Sequence, residues 1–186
     1  MLNNNLNNKW IGRALLALVF ALALPVAADC EYPNSERGTP PQWLCGEPSY
    51  EGFAYLAVGE KSRMPSISLQ SRLAGKDAMT GVVKKLLTAA AEDISAQLPE
   101  GVTPSLVLPN AEDWKRVARF KGIKVADKTT SPVRTLYVLA GVPEEAQSAL
   151  VQQARSEVLK KNRKALKAAL AEPQWLALQE WVKRGG

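Results

Sequence analysis

The sequence predicts an α+β fold: a small three-stranded, mainly antiparallel sheet, two long helices packed on one face of it, and a short C-terminal helix. Three observations carry this. Phe53-Ala54-Tyr55-Leu56-Ala57-Val58-Gly59 is a short continuous apolar run closed by a glycine, which favours a strand covered on both faces. Beyond it, Ala74, Ala78, Val82, Leu86, Ala90, Ile94 and Leu98 recur every fourth residue, with Met79, Val83, Leu87 and Ala91 beside them, giving the apolar stripe of a core-facing helix. A second helical stripe follows two further strand-like runs.

Residues 1–28 have the order of a secretory signal. Lys9 and Arg13 make a positive start, the apolar run from Ala14 to Leu24 follows, and Val26-Ala27-Ala28 supplies small residues for cleavage before Asp29. The run is shorter than the ~20 residues that span a bilayer. A chain beginning at Asp29 keeps 22 of its 24 basic residues against 18 acids, so the net charge falls from +6 to +4. That is too mild a charge to call for nucleic acid as a partner.

Residues 29–50 form a proline-rich arm in which Pro33, Gly38, Pro40 and Pro41 oppose regular structure. Cys30 and Cys45 are its only cysteines, and in an oxidising compartment two cysteines pair. Asp29 stands where a lipobox needs a small residue, so lipidation of Cys30 is not expected. Trp43 and Tyr50 flank the staple as anchors for the arm, with Trp43 also a candidate contact residue.

Residues 51–171 are the body. After the first strand, placed at 53–58, Ser66 or Ser68 is positioned to cap a helix over 67–98 that Pro99 ends. Its first half is small (Ala74, Gly75, Ala78, Gly81), so a backbone can approach there. Either the sheet of this chain or, at Gly75 and Gly81, another protein's helix would use that approach. Residues 99–109 are a proline-punctuated loop with Val102 and Leu106-Val107-Leu108. Asn110 is a candidate cap for a short helix carrying Trp114, Val117 and Phe120. Residues 123–127 alternate apolar and polar as a half-exposed strand, Thr130-Ser131-Pro132 marks a turn, and residues 135–139 are a third strand.

Pro143, Glu144 and Glu145 open a helix over 144–171 with an apolar face of Ala146, Leu150, Ala154, Val158 and Leu166. Lys160, Lys161, Arg163, Lys164 and Lys167 lie opposite. After the breaker Pro173, residues 172–186 form a short amphipathic helix with Trp175, Leu178, Trp181 and Val182 on one face and Lys183 and Arg184 behind them. Such a helix either closes the domain by packing its rings or lies in a membrane interface. Its short apolar face and its Glu172 and Glu180 favour packing.

Pro41-Gln42-Trp43, the spacer at Pro48, and Tyr55-Leu56-Ala57-Val58-Gly59 ahead of a long alanine-rich helix together resemble the LPP-twenty type of bacterial envelope lipoprotein. A related domain begins a periplasmic protein that helps build the flagellar basal-body ring. Gly122 to Val125 and Tyr137 to Leu139 stand where that family has a Gly-Val-x-Val-x-Asp type strand and a Tyr-Val-Leu strand. The resemblance covers most of residues 41–170. It implies a non-catalytic envelope protein working through contacts with other envelope proteins, in the periplasm or at the outer membrane. Partner identity and self-association into a homo-oligomer are left open.

The chemistry classes are narrowed by absence. There is no histidine, which removes triads and imidazole metal sites, and two lone cysteines make a poor metal site. The adjacent acids Glu92-Asp93, Glu112-Asp113 and Glu144-Glu145 would diverge on a helix and read as solvated or capping charges. The glycines between Gly75 and Gly81 fall inside a helix and cannot cradle phosphate. No cofactor is expected.

Overall fold

The computed structural model describes residues 30–33 and 37–185; the predicted signal at 1–28, with Asp29, lies outside the described residues. The chain runs β1 (Phe53–Lys61), α1 (Ile67–Ala96), α2 (Trp114–Val117), β2 (Lys124–Thr130), β3 (Leu136–Pro143), α3 (Glu144–Ala169) and α4 (Glu172–Arg184), with a 3-10 turn over Gln42–Leu44 ahead of them. The predicted α+β class is the observed one. The sheet is antiparallel in the order β1-β3-β2.

Central β3 is buried along its whole length, and its alternation divides the core in two. Leu136, Val138, Ala140 and Val142 face α1 and α3 in the larger cluster. Tyr137 and Leu139 face the arm, where Tyr32, Trp43 and Leu56 complete a smaller cluster. The first strand is thus covered on both faces, by helices on one side and by the arm on the other.

Both edge strands carry an irregularity opposite the same stretch of β3. In β1 the register shifts between Ala54 and Ala57, and Tyr55 there takes a positive φ of 51°. In β2 it shifts between Val125 and Asp127. An extra residue bends a strand and breaks its alternation. The simple inward-outward pattern expected for residues 123–127 therefore fails: Ile123 packs on the main core, Ala126 packs on the arm side, and Val125 stands 47% exposed.

Ser66 caps α1, its side-chain oxygen accepting from Leu69 N, while the helix ends at Ala96, two residues before the expected Leu98. The cap of α2 is Asp113 rather than Asn110; the Asn110 side chain instead accepts from Glu112 N in the preceding turn. Helix α3 ends at Ala169 with Leu170 extended, so Pro173 lies in the first turn of α4 and starts that helix. The proline-punctuated loop lies against the core through Val102 and Leu106. Asn162, buried in α3, clamps it there: its Oδ1 accepts from Val107 N at 2.7 Å and its Nδ2 donates to Val107 O at 3.0 Å.

Candidate functional site

Cys30 and Cys45 are joined in a disulfide that closes a 15-residue separation, with Cα atoms 5.7 Å apart. In the chain-entropy picture such a loop is worth about 3 kcal/mol. The staple holds Trp43 against the sheet. Trp43 is 4% exposed, and its indole Nε1 donates to Asp127 Oδ2 at 2.9 Å. Tyr32 stacks on Tyr137 with ring centroids 5.8 Å apart. Trp43 is therefore a structural anchor whose ring is unavailable to a partner in this conformation.

The two glycines of α1 part company. A Cβ on Gly81 would come within 2.8 Å of Ala57 Cβ, so its small size serves the helix–sheet contact. Around Gly75 a Cβ would meet nothing within 4 Å. Gly75 instead floors a surface groove of about 640 Å³ whose other lining includes Leu73, Lys76, Met79, Trp114 and Val125. Trp114 is 42% exposed, with the Lys76 ammonium 5.5 Å from its ring centroid. The sequence expects Trp114 on a short helix and Val125 at an apolar position of a half-exposed strand, and assigns neither to a contact surface. The β2 irregularity, not visible in apolar periodicity, accompanies an exposed Val125, and Trp114 stands exposed at the first position of α2 after its cap Asp113.

The C-terminal helix is used up inside the molecule. Trp175, Leu178 and Val182 are 2%, 5% and 3% exposed. Trp181 is half-buried beneath Arg155, whose guanidinium carbon lies 4.6 Å from its ring centroid. Arg155 also holds Asp93 at 2.8 Å and donates to Gly185 O, so α4 is tied to both long helices. Lys183 pairs with Glu180 at 2.8 Å, and Arg184 is exposed.

The adjacent acids take structural work. Asp93 pairs with Arg155, Asp113 caps α2, and Glu145 pairs with Lys124 at 3.0 Å. Glu145 and Glu180 are held below the ordinary carboxylate range, in each case mainly by the hydrogen bond from the neighbouring lysine. Among the described residues no three His, Cys, Asp or Glu side chains gather as a metal site, and no helix is long and apolar enough to cross a membrane. Compared with known proteins, the chain matches no protein-family model and no curated protein.

Proposed function

We propose that this is a non-catalytic, exported envelope protein that acts as a protein-interaction or assembly module in the periplasm or at the outer membrane. The observation that carries the reading is the groove between α1, α2 and β2. There an apolar floor at Gly75 and Met79, an exposed indole at Trp114 and an exposed Val125 are left uncovered by the rest of the described chain. Aromatic side chains in partly open pockets are what protein interfaces use as anchors. The disulfide agrees with an oxidising compartment, and the resemblance to LPP-twenty envelope proteins points the same way. A membrane contact through α4 loses its support, because the apolar face it needs is packed on α3.

The test places a photo-reactive side chain at Trp114 in growing cells. The expected result is one discrete adduct with another envelope protein, lost when Gly75→Leu fills the groove. Gly75→Leu should leave the melting temperature unchanged or raised, since the site is open and leucine is the better helix former by roughly 0.8 kcal/mol. An adduct that survives Gly75→Leu, or a protein that stays in the cytoplasm, defeats the proposal.

A further inference from the structure

At the N-terminal end of α1 two segments meet, the loop from β1 into α1 and the turn between β2 and β3. Residues 61–76 carry Lys61, Arg63, Arg72 and Lys76 with no acid, and residues 128–143 carry Lys128 and Arg134 with no acid. Acid-free basic runs also occupy residues 114–126 and 158–171; what sets this end apart is that two such segments, bounded by Glu60, Asp77 and Asp127, meet beside exposed aliphatic side chains. Between the two segments lies a cavity of about 730 Å³ lined by Arg63, Met64, Ile67, Gln70, Thr130 and Arg134. Among the described residues neither Arg63 nor Arg134 makes an ion pair, whereas Arg116, Arg119 and Arg155 each do.

The position of Arg134 is built rather than incidental. It holds a left-handed backbone with φ 67°, which is costly for a side chain with a Cβ and persists only where the surroundings enforce it. They do so here. Arg134 N donates to Ser131 O at 2.8 Å, and Ser131 N to Thr135 O at 2.9 Å. The buried Gln70 amide donates to Arg134 O and to Lys61 O, both at 2.9 Å, tying the turn, the end of β1 and the first turn of α1 together. Beside these cations stand two of the most exposed aliphatic side chains in the molecule, Ile67 at 79% and Val133 at 58%.

We propose that this end of the molecule docks on an anionic phospholipid surface. Arg63 and Arg134 take headgroup phosphates in the cavity between the two segments, and Ile67 and Val133 enter the interfacial layer. Guanidinium groups bind phosphate through paired donors, and cations near an anionic leaflet add to the binding while isolated aliphatics at loop tips supply burial. The contact is independent of the groove at Gly75 and Trp114, so a loss of either leaves the other measurable.

The experiment is sedimentation of the purified protein, in the form recovered from the cell, with vesicles of phosphatidylglycerol and phosphatidylethanolamine, against vesicles of phosphatidylcholine alone. Binding is expected on the anionic vesicles only. The double variant Arg63→Gln, Arg134→Asn should lower it roughly thirty-fold, about five-fold for each cation lost. Asparagine is chosen at 134 because it tolerates the left-handed backbone. Ile67→Ser with Val133→Ser should also weaken binding, and all four side chains are exposed enough that the melting temperature should not move. Equal binding to neutral vesicles overturns the proposal. So does a double arginine variant that binds like wild type, or a loss of binding on Lys160→Gln with Lys164→Gln, which would assign the contact to the basic face of α3.

Discussion

The two halves of α1 solve opposite packing problems. In the first half the helix lies on the sheet almost backbone to backbone. A Cβ on Gly59 of β1 would sit 2.2 Å from both Ala74 O and Ala78 N, and a Cβ on Gly81 would sit 2.8 Å from Ala57 Cβ. In the second half the spacing is filled by Val82, Val83, Leu86, Leu87 and Ile94, all at 1% exposure or less. The ends differ accordingly. Near its C-terminal end α1 is paired with α3 through Asp93 and Arg155, and α4 roofs α3, its Leu178 and Trp181 sharing a surface cleft with Gln97 and Pro99. At its N-terminal end Arg63 and Arg134 make no ion pair among the described residues, and Ile67 is 79% exposed. Small residues bring a helix close to a sheet but supply little burial. Along α1 the large buried residues therefore lie in the second half, near the Arg155–Asp93 pair, and the aliphatic side chain at its N-terminal end is left open.

The largest effect should come from closing the first-half contact. Gly59→Ala forces a methyl into helix backbone that cannot yield, so the urea midpoint should fall by the equivalent of more than about 3 kcal/mol. An unchanged midpoint would mean that the close approach is not what joins α1 to β1. Next is the roof. Trp175→Ala should cost about 3–5 kcal/mol, while Ile67→Ala at the open end should lie within about 0.5 kcal/mol of wild type. Equal melting temperatures for the two variants would erase the difference between the ends.

The smallest effect is electrostatic. Glu180 has its folded pKa lowered by Lys183, so its contribution to stability is present above the ordinary glutamate value of about 4.3 and is lost as pH falls through the folded value. Both groups are exposed, so the effect is screened. Lys183→Met should melt slightly below wild type at neutral pH and level with it in strong acid. A gap that widens on acidification would show that the pair has the opposite sign.

Much of this follows from local pattern. The stripe at Ala74, Ala78, Val82, Leu86, Ala90 and Ile94 is the buried face of α1, and the run closing at Gly59 is β1, because helix and strand periods are fixed by backbone geometry. Cys30 and Cys45 were a pair by count. The tertiary structure alone decided what happens where patterns break or distant segments meet. The shifts at Tyr55 and Ala126 depend on pairing with β3, and beside the second of them Val125 faces out near Trp114. Asn162 looks like any polar residue on a helix until the loop at Val107 brings it a donor and an acceptor. Arg63 and Arg134 lie 71 positions apart in the sequence and become neighbours only because β3 takes the centre of the sheet and Gln70 binds both strand ends. Periodicity reports which face of an element is apolar; which faces then meet is a property of the packed chain, and both candidate contact surfaces are made there.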